Sequence, residues 1–221
     1  MSYYGVKLNG VDLYTEKGLI LLADYTIEEA TPKENWIDVP GANGAIDGSR
    51  ALTGYPVYNT RGISWAMGIR ATDAELTALR DYLHTNFHGR TCELSFPWDT
   101  DHHYTGLLHV GEMSGYNSCT IPFSMTAQPY RLKNADTVAL KPFGTSWTTI
   151  TLTNESMRVI PTITVDKDAY VEFDGDQYAV AVGPHRISTI AFGPGTSTIK
   201  IKTQSSSGSG TVEIRYREGC L

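Results

Sequence analysis

Large apolar residues alternate with small or polar residues along two stretches of the chain between residues 63 and 127. In the first stretch they occupy every second position, at Ile63, Trp65, Met67 and Ile69. A period of two predicts a β-strand with one buried face. The alternation returns over residues 118–127, where Pro122 favours an edge strand or a bulge. These patterns predict a mostly β fold.

The period changes after Arg70. Thr72 and Glu75 have the spacing of a capping box, in which each side chain bonds the backbone N–H of the other residue. Apolar residues then recur every three or four positions, at Leu76, Leu79, Leu83 and Phe87. This pattern predicts one amphipathic helix near residues 73–88, ended by Gly89.

Turn signals divide the remaining sequence into short strands. Asn9-Gly10 and Asp174-Gly175 both predict tight hairpins. Beyond residue 133 the chain is rich in Thr, Ser and Val, with a turn every few residues, which predicts a second β-sandwich. Its predicted strands are residues 147–152, 160–165, 169–173, 177–182, 186–192, 197–202 and 211–217. We therefore expect two domains, residues 1–133 with the single helix and residues 134–221.

A glycine-rich loop precedes the strand that contains Ile63. A β-like run over residues 36–39 ends at a proline, and small residues follow. The loop is too long for a hairpin turn, and long loops between packed elements are usually functional. We interpret it as a surface that contacts another molecule, and the alternative is an ordinary surface loop. The predicted interface residues are Pro40, Gly41, Ala42, Asn43, Gly44, Ala45, Ile46 and Asp47.

Composition narrows the function classes. The 221 residues carry a net charge of -6 without a basic cluster, which argues against nucleic-acid binding. The longest apolar run, residues 19–23, is far too short for a membrane span, so we expect no membrane insertion. The first residues lack the features of a signal peptide. We therefore expect a protein kept in the cytosol, or exported only as part of a larger object.

Two groups of polar residues are candidates for a metal site. The first group could bind a metal, or its helical histidines could simply favour the helix C-terminus: His84, His88, Cys92, Asp99, Asp101, His102 and His103. The second could bind calcium, or form the wet face of a hairpin: Asp166, Asp168, Glu172, Asp174 and Asp176. Neither spacing matches a strong motif, and no catalytic fingerprint is present. We expect no enzyme activity, no cofactor and no metal.

Several segments of the first domain resemble, in order, the distal tail protein family of long-tailed (siphovirus-type) bacteriophages. The opening hairpin precedes a Gly18-Leu19-Ile20-Leu21 strand. The other matching segments are Val39-Pro40-Gly41-Ala42-Asn43-Gly44, Tyr58 to Trp65, His88 to Leu94, Pro97 to Gly106, and Gln128-Pro129-Tyr130-Arg131. The resemblance covers residues 1–133. The family often has Arg-Asp where this chain has Ala42-Asn43.

The resemblance implies a fold and a role. The N-terminal domain would be a β-sandwich with one helix, and the C-terminal domain a galectin-like β-sandwich. The protein would be a structural component of the virion, forming a hexameric ring at the tail tip after assembly in the host cytoplasm. Its implied partners are further copies of itself, the tail tube protein, a tail-tip hub or tail-associated protein, and receptor-binding proteins.

A carbohydrate-binding module is the competing hypothesis, because galectin-like sandwiches often bind sugars. Such a site needs an exposed aromatic platform with polar groups beside it. The candidates are Trp147, Tyr170 and Tyr178.

Overall fold

The computed structural model describes residues 5–115 and 118–221 of the chain. Its contacts divide the chain into two compact units, residues 1–131 and residues 132–221. Each unit has its own hydrophobic core. Strands dominate both units, so the predicted mostly β class is confirmed. The first four residues, part of the segment judged not to be a signal peptide, lie outside the described residues.

The first unit contains two helices and most of the strands of one large sheet. Its elements are β1 (Lys7–Leu8), β2 (Val11–Asp12), α1 (Leu13–Lys17), β3 (Ile20–Ile27), β4 (Trp36–Asp38), β5 (Ala45–Asp47), β6 (Arg61–Ile69), α2 (Asp73–Asn86), β7 (Arg90–Ser95), β8 (His102–Val110) and β9 (Cys119–Ala127). The main path of the sheet runs β2-β1-β7-β8-β9-β6-β3. Among the described residues, β4 and β5 pair only with each other and form a separate two-stranded sheet.

This sheet curls over on itself. β7 and β6 are three positions apart in the sheet, a separation of roughly 14 Å if the sheet were flat. Yet the ring of Trp65 in β6 lies 6.1 Å from that of Phe96, the first residue after β7. Trp65 also stacks on Phe123 at 5.2 Å, inside the core. β6 and β7 of one curved sheet therefore approach each other across the core, as strands of the two sheets of a sandwich would.

Helix α2 follows the predicted pattern. Thr72 and Glu75 form the capping box. Leu79, Leu83 and Phe87 are buried, and Leu76 packs against the core at its margin. The structure adds the five-residue helix α1, which the period analysis missed because one turn and a half shows no repeat. Asp12 caps the start of α1 with its carboxylate.

Pro122 does not mark a sheet edge, because β9 pairs with β6 on one side and β8 on the other. The carbonyl of Pro122 accepts the N–H of Gly111, one residue beyond the end of β8. In an extended strand the N and C=O of one residue point to the same side. The missing N–H of the proline therefore faces the position where β8 has just ended, and the ladder to β6 loses no bond.

The second unit is a sandwich of two four-stranded antiparallel sheets. Their orders are β11-β18-β13-β16 and β12-β17-β14-β15. Together with β10 (Arg131–Lys133), which begins at the unit boundary, the strands are β11 (Thr137–Phe143), β12 (Thr148–Asn154), β13 (Thr162–Val165), β14 (Ala169–Phe173), β15 (Asp176–Val180), β16 (Gly183–His185), β17 (Gly195–Thr203), β18 (Gly210–Tyr216) and β19 (Gly219–Cys220). Isoleucines and valines from both sheets share one core.

One strand prediction in this unit was wrong, and strand β11 was missed. Residues 186–192 form a turn in which Ile190 N–H donates to Ile187 O, and they reach the core through Ile190 and Phe192. The apolar residues Val138, Ala139 and Leu140 of β11 are consecutive, so they show no period of two, and Pro142 interrupts the strand, which an edge strand tolerates. None of the helices among the described residues is long and apolar enough to cross a bilayer.

Candidate functional site

The segment between β3 and β6 extends away from the core as a two-stranded ribbon. We call residues 28–60 the arm. Backbone hydrogen bonds continue the β3–β6 pairing along it: Glu28 N–H to Gly62 O, Asn59 N–H to Thr31 O, Lys33 N–H to Val57 O and Gly48 N–H to Asn35 O. β4 and β5 follow at its far end. Every residue of the arm is exposed or half-buried, so the core of the first unit does not hold it.

The predicted loop Pro40–Asp47 is in fact part of a hairpin. Ala45, Ile46 and Asp47 form β5 and pair with β4, so the prediction that the segment is too long for a hairpin was wrong. The connecting turn spans Val39 to Gly44. Ala42 N–H donates to Val39 O, and Gly41 and Gly44 have φ values of 85° and 78° that glycine adopts without strain. We call residues 36–47 the arm hairpin.

The arm hairpin is exposed on both faces. The register pairs Ile37 with Ile46, and this apolar pair stands on one face, 49 % and 59 % exposed. The other face carries Trp36, which is 58 % exposed, with Asp38 and Asp47. A two-stranded hairpin alone in water is at best marginally stable. Apolar residues on both faces of such a hairpin make it a candidate contact surface for another molecule.

Local hydrogen bonds hold the base of the arm hairpin in place and stabilise the ionised form of Asp47. Ser49 Oγ accepts the N–H of Asn35 at 2.8 Å, and Asp47 accepts the N–H of Ser49 at 2.8 Å. Hydrogen bonds from the Ser49 hydroxyl and backbone lower the pKa of Asp47, so this carboxylate stays ionised. Trp36 Nε1 donates to Glu34 at 3.0 Å.

The sequence analysis included the turn of the arm hairpin in its candidate contact surface, but not Trp36 or Ile37. It assigned these two residues to a short strand. An adjacent Trp-Ile pair with charged neighbours, in a strand of only three residues, was the available signal. The arm as a whole carries five carboxylates against two cations, so its surface is acidic.

The three carbohydrate candidates do not form one platform. Lys202 Nζ lies 4.5 Å from the ring centre of Trp147 and 5.7 Å from that of Tyr170. The side chains of Trp147, Tyr170 and Lys202 therefore meet on the outer face of one sheet. Tyr178 pairs with the buried Val171 and packs against the core instead. The period of two places it on the opposite face from Tyr170.

The structure distributes the histidines and the cysteine of the first polar group over separate places. His84 and His88 stack at 4.6 Å where α2 ends, and His88 Nδ1 accepts the N–H of Val110. Cys92 is buried in the core, where desolvation raises the pKa of its thiol. His102 contacts Asp99 at 2.8 Å.

Most acidic residues of the second polar group have structural partners. Asp166 accepts the N–H of Thr211, and Asp168 that of Val182. Glu172 pairs with Lys200 at 2.7 Å. Asp174 lies at the tip of the β14–β15 hairpin with a φ of 50°, as the Asp-Gly turn predicted. These contacts agree with the interpretation that the acidic residues form the solvent-exposed face and the turn of a hairpin.

Comparison with family models and with curated proteins finds no match for this chain. Among solved structures, six chains match. One is the crystal structure of the Dit protein (gp 19.1) of phage SPP1, described as a paradigm of the hub adsorption apparatus in phages that infect Gram-positive bacteria. It is 13 % identical, with a TM-score of 0.67 over 97 % of this chain and 98 % of that chain. This chain therefore shares the fold of that Dit protein along nearly its whole length.

Proposed function

We propose that this protein is a distal tail protein of a long-tailed bacteriophage. Six copies form a ring at the tail tip that joins the tail tube to the host-adsorption apparatus, including a hub or tail-associated protein and receptor-binding proteins. The role is structural and not enzymatic. Assembly takes place in the host cytoplasm, and the protein functions in the virion. The shared fold with SPP1 Dit and the ordered sequence resemblance both support this proposal.

The observation that carries the proposal is the arm. A segment of 28–60 without a buried residue, ending in an exposed tryptophan and an exposed isoleucine pair, is poorly suited to a monomer. A ring with rotational symmetry needs a heterologous contact, in which one patch of each subunit meets a different patch of the next. An arm that reaches over the neighbouring subunit supplies the first of these patches.

Shortening the arm tests the proposal. A variant in which two residues replace residues 37–46 should keep the circular dichroism and melting temperature of the parent, because surface segments tolerate changes in length. Its mass by light scattering should fall to that of the monomer, and negative-stain images should lose their rings. Rings that form as readily as those of the parent would refute a role of the arm hairpin in assembly. A parent that stays monomeric and forms no rings would refute the proposed function.

Sugar binding by the second unit is a second candidate, and it is favoured by the Trp147–Lys202–Tyr170 cluster. An aromatic face beside an ammonium group can hold a sugar ring and its polar substituents. Screening the protein on a glycan array, followed by titration of any hit, should show binding that Trp147→Ala abolishes and Tyr178→Phe preserves. A parent protein that binds no glycan would refute this candidate.

A further inference from the structure

A groove lies at the far end of the β3–β6 pair from the arm. It is formed where α1 ends, where β6 ends and where α2 begins, and its volume is about 420 Å³. Its lining residues are Glu16, Lys17, Gly18, Ile69, Arg70, Ala71, Glu75, Ala78 and Leu79. The volume falls in the range typical of sites that hold a large side chain or small ligand.

The groove combines an apolar floor with two cations. Ile69, Ala78 and Leu79 supply apolar surface, and the exposed Tyr14 and Ile20 belong to the adjoining elements α1 and β3. Lys17 Nζ lies 4.1 Å over the ring of Tyr82.

The groove lining carries two cations, Lys17 and Arg70, and two carboxylates, Glu16 and Glu75, so it has no net charge. Glu75 accepts the N–H and the hydroxyl of Thr72. Arg70 is exposed and has no ion-pair partner among residues 5–115 and 118–221. Arg70 is therefore the cation of the groove that is available to pair with a carboxylate of a partner.

The positions of the arm and groove suit a head-to-tail contact. Ile27 pairs with Ile63 beside the arm, and Ile20 pairs with Gly68 beside the groove. The length of β6 separates these ends by roughly 25 Å. The two patches therefore lie at opposite ends of one rigid strand pair, as a heterologous contact between successive copies requires.

We propose that the groove of one copy receives the Trp36 face of the arm hairpin of the next copy. Trp36 lies on the apolar floor, while Asp38 and Asp47 face Lys17 and Arg70. This inference rests on the proposed function, since it names the acceptor surface of the ring contact. Apolar surface and charge agree: an exposed tryptophan with two carboxylates on its face meets a groove that offers apolar side chains and the unpaired Arg70. Tryptophan and arginine are also the residues most often found at the energetic centre of interfaces.

Charge reversal tests the acceptor surface. Arg70→Glu should weaken self-association roughly 30-fold or more, as expected when one partner of a buried charge pair is lost. Arg80→Glu is the matched control, because Arg80 lies on the exposed face of α2 beside Asp81 and outside the groove lining. It should assemble like the parent. Analytical ultracentrifugation measures both, and circular dichroism checks that both variants are folded. Equal weakening by the two substitutions would overturn the assignment of the groove.

Mixing two defective variants tests the polarity of the contact. Trp36→Ala keeps a working groove, and Arg70→Glu keeps a working arm. Each should stay monomeric alone. An equimolar mixture should give dimers of one copy each, because only one of the two possible contacts can form. A mixture that stays monomeric, or that restores full rings, would contradict the proposal.

Photo-crosslinking separates this inference from the proposed function. A benzophenone amino acid placed at position 36 should join chains, and peptide mapping of mixed ¹⁴N and ¹⁵N protein should locate the joined partner within residues 16–18 or 69–79 of another copy. Crosslinks elsewhere on a second copy would overturn the groove but leave self-assembly through the arm standing. A parent that neither assembles nor crosslinks between chains would overturn both.

Discussion

At the scale of single residues, the start of α2 depends on one reciprocal pair. Thr72 N–H donates to Glu75 at 2.8 Å, while the N–H of Glu75 points to the Thr72 hydroxyl at 3.5 Å. Hydrogen bonds from the backbone and hydroxyl of Thr72 lower the pKa of Glu75. A carboxyl group with a lowered folded-state pKa stabilises the protein above its unfolded-state pKa, and this stabilisation is lost as the pH falls through the folded-state pKa.

Glu75→Gln should therefore have a pH-dependent effect. The variant should melt below the parent at pH 7, and the difference should shrink as the pH falls through the lowered folded-state pKa of Glu75, where the parent loses this carboxylate. Thermal melts followed by circular dichroism between pH 3 and pH 7 measure it. Asp81→Asn, an exposed change on the same helix, serves as the control and should follow the parent. Melting curves of Glu75→Gln that stay equally displaced at every pH would contradict the prediction.

At the scale of elements, α2 and the arm show what a local pattern can and cannot predict. The leucine period of α2 and the alternation in β6 were sufficient to predict these two elements, because a regular element with one buried face repeats its pattern over many residues. β4 and β5 are only three residues long each, and both of their faces are exposed, so neither has such a period. The acceptor groove draws on α1, β6 and α2, and only the folded chain brings these together.

Leu79→Ala tests the packing of α2 directly. The side chain is 6 % exposed and lies in the first core, so its truncation should lower the free energy of unfolding of this unit by about 2–5 kcal/mol. Chemical denaturation followed by tryptophan fluorescence measures the change, because Trp65 lies in the same core. Leu76→Ala, at the margin of that core, should cost less. An unchanged denaturation midpoint for Leu79→Ala would show that the helix face is not packed.

At the scale of the whole molecule, the chain builds two cores and leaves one long segment outside them. The sequence predicted the mostly β class and the single long helix, because both follow from local periods. Its candidate contact surface included the turn of the arm hairpin but not Trp36. The register of a hairpin decides which side chains share a face. Because residues 45–47 were predicted as loop and not as β5, the register that pairs Trp36 with Asp47 was not predicted.

If arm and groove form the proposed contact, their placement at opposite ends of the β3–β6 pair has a consequence for how the proposed ring grows. Every open chain of subunits, whatever its length, ends in one unfilled groove and one unbound tryptophan. Only closure removes both, and a subunit inside a closed ring must break two contacts at once to escape. Partial assemblies should therefore be short-lived, because each has an unfilled groove and an unbound arm that can bind further copies. The closed ring should persist, so monomers and complete rings should dominate at equilibrium.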